Sequence, residues 1–338
     1  IMALGTLRVM IPAPSTWLLA AILPLCLLVT RPLNAQTPLS SWGATPTREA
    51  ILGFIEATVD PANDAFVQPE DRIAVFDNDG TLWAEQPAYF QLLFAVDRAR
   101  AQLAEDPTLK SRSPYRELAA DDLGALLAGG HDALFDLVFA THAGLSTTEF
   151  RSEVLDWLAS ARHPGTARPY TKMVYAPMLE LLDYLRARGY RNFIVSGGGV
   201  GFLRAWSEDV YAIPPERVVG SRLELSYQEG DTPSIMRGDA LAHVNDGPGK
   251  PVGIQQVIGR RPVLAVGNSD GDFEMLRWTT TGSGPRLGVL IHHTDGEREW
   301  AYDRESSIGR LDRGLDSAEE NGWVVVDMKS DWRRVFPD

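Results

Sequence analysis

Two carboxylates stand close together at Asp77-Asn78-Asp79-Gly80-Thr81, directly after the apolar run Ile73–Phe76. Carboxylates two positions apart can face the same ligand if the chain turns there, and the glycine permits such a turn. An Asx-type turn would explain the Asp-Gly pair equally well. The segment is therefore a candidate for acid–base or metal-assisted chemistry. The choice between this function and a simple turn depends on the other candidate residues in the sequence.

A second candidate is Ser196-Gly197-Gly198-Gly199, which follows the apolar run Phe193–Val195. A hydroxyl and open backbone amides before a helix form a natural anion site, although a tight strand-to-helix turn uses the same residues. The segment is not a dinucleotide fingerprint, because Phe202 and Arg204 stand where a third glycine is needed. It favours a phosphate or another small anion over a dinucleotide.

Two further candidates lie later in the chain. Lys250, between Gly249 and Pro251, begins a predicted helix, but a lone lysine is usually a solvated surface charge. The segment Gly267–Asp272, read Gly-Asn-Ser-Asp-Gly-Asp, follows the apolar run Val263–Val266. Clustered oxygen donors in such a loop suit a hard cation such as Mg²⁺, with a polar turn as the alternative.

The elements that must position these residues alternate between short apolar runs and helical patterns. This alternation predicts a Rossmann-like, mostly parallel α/β sheet. In such a sheet ligands bind at the carboxyl ends of the strands, which is where all four candidates fall. The helical pattern from about Ala88 to Trp157 is too long for an ordinary connection, so it predicts an all-helical domain inserted between the first two strands.

The first 35 residues have the pattern of a secretory signal. Trp17–Val29 is a run of 13 uncharged, mostly apolar residues with Arg8 before it and Leu33-Asn34-Ala35 after it. A membrane-spanning helix needs about 20 such residues, so the run is typical of a signal peptide. We expect an exported, periplasmic or secreted protein with no stable membrane anchor after cleavage; an uncleaved anchor is the alternative.

The charge of the chain limits its partners. The 338 residues include 45 acidic and 32 basic ones, a net charge of -13. Cleavage after residue 35 removes two arginines and no acid, which leaves 30 basic residues and a net charge of -15. An acidic surface repels phosphate backbones, so no nucleic-acid partner is expected. The single cysteine, Cys26, excludes a disulfide framework and a cysteine zinc cluster.

In this order, the four candidate segments resemble the motifs of the haloacid dehalogenase-like (HAD) hydrolase superfamily, and more closely its phosphoserine-phosphatase-like phosphatases. The resemblance covers about residues 71–83 and 173–295, and the helical insertion is similar to the family's mobile cap. Together with the signal pattern, it predicts the following organisation: signal 1–35, tether and N-terminal helix 36–70, HAD-like core 71–83 and 173–338, and helical cap 84–172.

The resemblance also implies roles for individual residues. Asp77 would attack phosphorus to form an aspartyl-phosphate, and Asp79 would protonate the leaving alcohol and then activate water. Lys250 would neutralise the developing charge. Mg²⁺ would be held by Asp77, the carbonyl of Asp79 and the last motif. The phosphoryl oxygens would be bound by Thr81, Ser196, Gly197 and Lys250.

The last motif departs from the family pattern at one position. Members usually carry Asp directly after its first glycine, and this sequence has Asn268. Asn268, Asp270 and Asp272 therefore all remain candidate metal ligands. If Asp270 has taken over the direct contact, Asp270→Asn should weaken metal binding far more than Asn268→Ala.

We therefore expect an exported, Mg²⁺-dependent phosphomonoesterase that acts on small organic phosphate esters. Three alternatives remain: a HAD-fold phosphotransferase, a hydrolase that cleaves phosphonates or halides, and a non-catalytic binding protein that kept the fold. The residues that enter the cap (Trp83, Glu85, Gln86 and Tyr89) are expected near the pocket. His142 and His163 are expected to be solvated or structural histidines and not ligands. Neither the substrate nor the oligomeric state follows from the sequence.

Overall fold

A central sheet of seven strands organises the chain in the computed structural model, which describes residues 38–120, 124 and 130–337, the side chains of 130–135 excepted. The predicted signal peptide, with Cys26, lies outside the described residues. The strands are β1 (Ile73–Phe76), β2 (Arg191–Gly199), β3 (Val218–Gln228), β4 (Ser234–His243), β5 (Leu264–Gly267), β6 (Leu287–His292) and β7 (Val324–Asp327).

The strand order is β4-β3-β2-β1-β5-β6-β7. All neighbouring pairs are parallel except β3 and β4, which form an antiparallel hairpin at one edge. All four residues of β1 are buried, as expected for a parallel strand that is covered by helices on both faces. The predicted Rossmann-like, mostly parallel sheet is confirmed, and β1, β2 and β5 lie side by side at its centre.

Helices flank the sheet and fill the segment between its first two strands. Thr45 caps the first helix by accepting a hydrogen bond from the Arg48 backbone N–H. The described helices are α1 (Pro46–Val59), α2 (Phe90–Glu105), α3 (Tyr115–Ala119), α4 (Gly130–His142), α5 (Thr147–Ser160), α6 (Ala176–Ala187), α7 (Val200–Arg204), α8 (Ser207–Tyr211), α9 (Gly249–Val257), α10 (Phe273–Thr280), α11 (Arg313–Ser317) and α12 (Met328–Asp331).

We call the segment that holds helices α2 to α5 the helical insertion. It packs on the core through aromatic rings: Trp83 stacks on Trp206 with ring centroids 4.3 Å apart, and Phe90 meets Trp83 edge-on at 4.7 Å. Such pairs add about 0.5–1.5 kcal/mol each beyond their burial. Trp83 is fully buried, so it joins the two parts of the molecule, as a packing residue would.

Two elements differ from the sequence-based expectation. The pattern Val200–Val210 predicts one helix, but the structure has α7 and α8 with a break at Trp206, whose backbone leaves the helical conformation. The indole turns inward to stack on Trp83, and that burial outweighs the helical pattern. Strand β2 also continues through the glycines to Gly199, with a register shift after Val195, where a turn was expected.

None of the helices in the described ranges is long and apolar enough to cross a membrane.

Candidate active site

The carboxyl ends of β1, β2 and β5 bring three of the candidate segments together. The Asp77 amide donates a hydrogen bond to the carbonyl of Val266 at 2.9 Å, which fixes the end of β1 against β5. Ser196 lies in β2, on the other side of β1. The parallel register thus places Asp77, Ser196 and Asn268 at one edge, as the sequence pattern predicts.

Lys250 completes this cluster from the first turn of α9. Its Nζ donates to Asp77 Oδ1 at 2.6 Å and to Asp272 Oδ1 at 2.5 Å, with only 2% of the lysine side chain exposed. Burial opposes its charge, but attraction to Asp272 and Asp77 is stronger and raises the pKa of Lys250. The lysine is therefore a buried, permanently charged partner of Asp77 and not a surface residue.

Burial has the largest effect on the pKa values of Asp77 and Asp79, the two carboxylates that follow β1. It raises the pKa of Asp77 well above its ordinary value, helped by the negative charge of Asp272 and opposed by Lys250. Burial also raises the pKa of Asp79. A raised pKa keeps the Asp79 carboxyl protonated to higher pH, which is what a proton donor to a leaving alcohol needs.

Two hydrogen bonds orient the Asp79 carboxyl. The Trp83 indole N–H donates to Asp79 Oδ1 at 2.8 Å, and the Ser196 hydroxyl lies 3.5 Å from Asp79 Oδ2. The Ser196 hydroxyl also accepts from the Gly198 amide at 3.0 Å. Asp79 and Ser196 therefore face the same space, next to the open glycine segment of β2.

Thr81 occupies a different position from the one that the resemblance implies. Its side chain is fully buried, and its hydroxyl donates to Asn268 Oδ1 at 3.0 Å. In this arrangement Thr81 orients the Asn268 amide. Gly197 lines the cavity beside Ser196, in keeping with a contact to substrate.

The three candidate ligands of the last segment separate in the structure. Asn268 is buried beside the first segment, against Thr81. Asp272 Oδ1 accepts from Lys250, and its Oδ2 accepts from the backbone amides of Asn268 and Ser269, so Asp272 holds the loop and the lysine.

Asp270 is not brought into the site. Its carboxylate accepts hydrogen bonds from the backbone amides of Asp312, Arg313 and Gly314 at 2.9 to 3.2 Å. These bonds turn the side chain toward the loop before α11 and away from Asp77. The expectation that Asp270 replaces Asn268 as the direct metal ligand does not fit this geometry.

Glu85, which is expected from the sequence to be near the pocket without a role, lies within the site. It is 1% exposed, and its Oε1 accepts from Asn268 Nδ2 and from the Tyr302 hydroxyl, both at 2.7 Å. Burial raises the pKa of Glu85 to about 7. Its only sequence signal is its position in the linker that enters the helical insertion.

His293 supports the loop of the first segment from below. Its Nε2 lies 2.7 Å from the Gly80 carbonyl, and its Nδ1 lies 3.1 Å from Glu299 Oε2. Gly80 has φ +73, and a Cβ there would collide with Asn268 and Glu85, so only glycine fits. His293 is thus a structural partner of the loop that carries Asp77 and Asp79.

The oxygen donors at this edge of the sheet suit a hard cation, although few of them are charged. Among the described residues, no three His, Cys, Asp or Glu side chains converge as a metal site. The available oxygens are Asp77 Oδ2, the Asp79 carbonyl and the Asn268 amide oxygen, for which the described part of the chain provides one donor, the Thr81 hydroxyl. These mixed carboxylate, carbonyl and amide oxygens are ligands that Mg²⁺ accepts while it retains water.

Above this edge lies a cavity of about 580 Å³ between the helical insertion and the β3–β4 hairpin. Its floor is formed by four charged or titratable side chains: Asp77, Asp79, Glu85 and Lys250. The upper lining carries apolar side chains and several arginines. Its volume is in the range of sites for small organic ligands.

A family model for the haloacid dehalogenase-like hydrolases matches residues 74–277. The chain belongs to this family. The matched range contains all four candidate segments, so the resemblance that they carry is confirmed. Among curated protein sequences, none matches this HAD hydrolase.

Solved structures resemble this HAD hydrolase in fold. A protein of unknown function from Bordetella pertussis Tohama I aligns over 76% of this chain and 98% of its own, with 17% identity and a TM-score of 0.50. A conserved, functionally unknown protein from Anaerococcus prevotii DSM 20548 aligns over 84% and 93%, with 17% identity and a TM-score of 0.51. At this identity the likeness shows the fold alone.

A phosphoserine phosphohydrolase-like protein from Francisella tularensis subsp. tularensis SCHU S4 aligns over 74% of this chain and 98% of its own. Its identity is 13% and its TM-score 0.38, which is too loose a likeness to bear on function.

Proposed function

We propose that this HAD hydrolase is an Mg²⁺-dependent phosphomonoesterase that acts on small organic phosphate esters through an aspartyl-phosphate on Asp77. One observation supports this most directly: Asp77 is bound by the buried Lys250 and lies beside the protonatable Asp79 on the floor of a cavity. A nucleophile, a fixed cation and an acid are the groups that acyl-phosphate chemistry requires.

The residues divide the reaction between them. The Asp77 carboxylate, held by Lys250 at Oδ1, attacks phosphorus. Asp79, oriented by Trp83, gives its proton to the leaving oxygen and then takes one from the water that hydrolyses the acyl-phosphate. Ser196 and Gly197 bind phosphoryl oxygens, and Lys250 offsets the negative charge that accumulates there.

The bound metal would be held by Asp77, the Asp79 carbonyl and Asn268. When bound, Mg²⁺ supplies positive charge that screens the nucleophilic carboxylate from the phosphate. Asp272 keeps Lys250 and the Asn268 backbone in place. Asn268 replaces the aspartate that family members usually carry at this position. Glu85 accepts a hydrogen bond from the Asn268 amide and so places a carboxyl group next to it.

The helical insertion acts in this proposal as the cap that covers the substrate. It contributes Gln91 and Phe150 to the cavity, and Gln91 Oε1 accepts from the Gly199 amide at 2.7 Å. Covering the site excludes water that would compete for the acyl-phosphate. Export by the N-terminal segment is the second part of the proposal, supported by the run Trp17–Val29.

The test is phosphate release from p-nitrophenyl phosphate with Mg²⁺ and with chelator. We expect release that requires the metal, and a loss of at least about 10³-fold in kcat for Asp77→Asn, because the nucleophile is removed. Asp316→Asn, an exposed aspartate that pairs with Arg304, is the matched control and should retain activity. Metal-independent release, or an Asp77→Asn enzyme that equals wild type, would overturn the proposal.

The same assay separates the alternatives. Transfer of the phosphoryl group to an added alcohol in place of water would indicate a phosphotransferase. Phosphate-analogue binding without release of product would indicate a binding protein that kept the fold.

A further inference from the structure

Arg237, in the edge strand β4, carries its guanidinium into the upper part of the cavity. The residue is 9% exposed, and its Cζ lies 3.9 Å from the centroid of the Phe150 ring, which belongs to the helical insertion. Its Nε donates to the carbonyl of His142 at 2.9 Å. The guanidinium is therefore held in one place by the insertion on one side and the hairpin on the other.

Within the described part of the chain, this buried cation has no anionic partner. No carboxylate of the described residues lies within ion-pair distance of Arg237, and its hydrogen bond to His142 uses only Nε. Burial lowers the pKa of Arg237 to about 10, and the charge of Arg98 lowers it further. A buried charge is costly unless it is paired, so an anion that enters the cavity would find its pair here.

The other arginines that line the cavity are exposed or already use an Nη group in a bond to the protein. Arg151 is exposed, Arg204 donates to the Val218 carbonyl, and Arg222 donates to Gln256 at 2.8 Å. A purely structural role explains the Arg237 Nε bond and the contact with Phe150. It leaves the two Nη groups, which carry most of the hydrogen-bonding capacity, without a function.

The glycine segment connects Arg237 to the phosphate end of the cavity. A Cβ on Gly198 would lie 3.2 Å from Ser196 Oγ and 3.7 Å from Asp79 Oδ2, whereas a Cβ on Gly201 would lie 2.5 Å from Arg237 Nη1. Three residues of chain span at most about 11 Å. The two charged ends of the cavity are thus separated by a distance that a molecule of a few carbon atoms can bridge.

We propose that Arg237 is a specificity residue that binds a second anionic group of the substrate, so that the preferred substrates are small phosphomonoesters with a carboxylate or a second phosphate at the far end. The proposal rests on the phosphomonoesterase function proposed above. A planar guanidinium with two free Nη groups matches either anion in a bidentate contact.

The test is equilibrium binding of non-hydrolysable phosphonates to the full-length protein in the presence of Mg²⁺, measured by calorimetry. Each ω-carboxyalkylphosphonate of two to five carbons is compared with the uncharged alkylphosphonate of equal length, and with the corresponding alkylene bisphosphonate. Wild type, Arg237→Gln and Arg237→Lys are studied alongside Arg222→Gln, which removes a charge from the same cavity wall.

We expect at least one doubly anionic ligand to bind wild type about 10- to 100-fold more tightly than its uncharged match, as a charge-assisted contact provides. Arg237→Gln should abolish that ratio, Arg237→Lys should retain part of it, and Arg222→Gln should leave it unchanged. A larger ratio for the carboxylate or for the bisphosphonate series identifies the second anion.

The proposal is overturned if no doubly anionic ligand gains affinity for wild type, a result that does not depend on any variant. It is also overturned if Arg237→Gln and Arg222→Gln reduce the ratio equally, because the effect would then be the general field of the cavity. Phosphonate binding does not require turnover. A protein that shows the Arg237-dependent ratio but releases no phosphate contradicts the proposed function and not this inference.

Discussion

At the residue scale, the loop after β5 uses two acidic side chains and one amide for three different tasks. Asp272 binds Lys250, Asp270 binds the backbone before α11, and Asn268 faces the first segment. The geometry therefore separates three residues that the sequence leaves as equal candidates for the metal, and it favours Asn268 over Asp270. What distinguishes these residues is the direction of each side chain, which a polar sequence does not encode.

The first prediction concerns this ranking. Asn268→Ala should weaken Mg²⁺ binding, because it removes an oxygen donor from the floor of the cavity. Asp270→Asn should leave Mg²⁺ binding unchanged and lower the free energy of unfolding by about 1–3 kcal/mol, because three backbone amides, two of them in buried or half-buried residues, lose a charged acceptor. Calorimetric Mg²⁺ titration and urea unfolding measure the two effects. Weaker metal binding in Asp270→Asn than in Asn268→Ala would contradict the prediction.

Which functional residues the sequence can reveal depends on local pattern. Asp77, Asp79 and Ser196 follow apolar strands directly, so their convergence follows from parallel pairing. Glu85 and Arg237 stand in a linker and an edge strand, among ordinary polar neighbours. Their burial results from packing between distant parts of the chain, and no local spacing indicates it.

At the scale of elements, the helices of the helical insertion are joined to one another by contacts around a buried, neutral histidine. His142, at the end of α4, is fully buried; its Nε2 lies 3.3 Å from Gln91 Nε2, and its Nδ1 lies 2.7 Å from the Thr141 hydroxyl. Burial lowers the pKa of His142 well below its ordinary value, and the charges of Arg237 and Arg98 lower it further. Phe94 and Phe150 cover its ring.

The second prediction follows from the sign of this shift. Below about pH 6.5, the ordinary pKa of histidine, this imidazole binds a proton in the unfolded chain but stays neutral in the folded protein. The free energy of unfolding therefore decreases as the pH falls. His142→Gln should make the free energy of unfolding less dependent on pH between about 6.5 and 5. His243→Gln in the β3–β4 hairpin is the matched control. Urea unfolding across this range measures both, and parallel curves for wild type and His142→Gln would refute the prediction.

The element boundaries show where sequence patterns suffice. Ile73–Phe76 is a strand as expected, because an apolar run buried on both faces has few other solutions. The prediction of one helix over Val200–Val210 is wrong at Trp206, because its indole stacks on Trp83, which is distant in the sequence. Pattern predicts the core strands, and tertiary contacts decide the details around the cavity.

At the scale of the whole molecule, the two ends of the described chain clasp each other. Trp42 and Trp332 meet edge-on at 5.9 Å, and the Gly43 amide donates to the Asp331 carbonyl at 2.6 Å. The clasp contacts Tyr175, whose ring lies 5.3 Å from that of Trp332 and whose hydroxyl donates to Glu299 at 2.9 Å. Glu299 in turn binds His293, which contacts the Gly80 carbonyl. The chain ends are therefore connected through these side chains to the loop that carries Asp77 and Asp79.

The third prediction concerns this clasp. Trp332→Ala should lower the free energy of unfolding by about 3–5 kcal/mol, because a large ring that is 1% exposed leaves a cavity that its neighbours cannot fill. Trp278→Ala, at a partly buried indole beside Arg261, is the matched control and should cost less, because solvent already reaches its site. Guanidinium unfolding of both variants makes the comparison. An equal loss in the two would mean that the chain ends cover the core without stabilising it, and the link from tail to active-site loop would then carry no energetic weight.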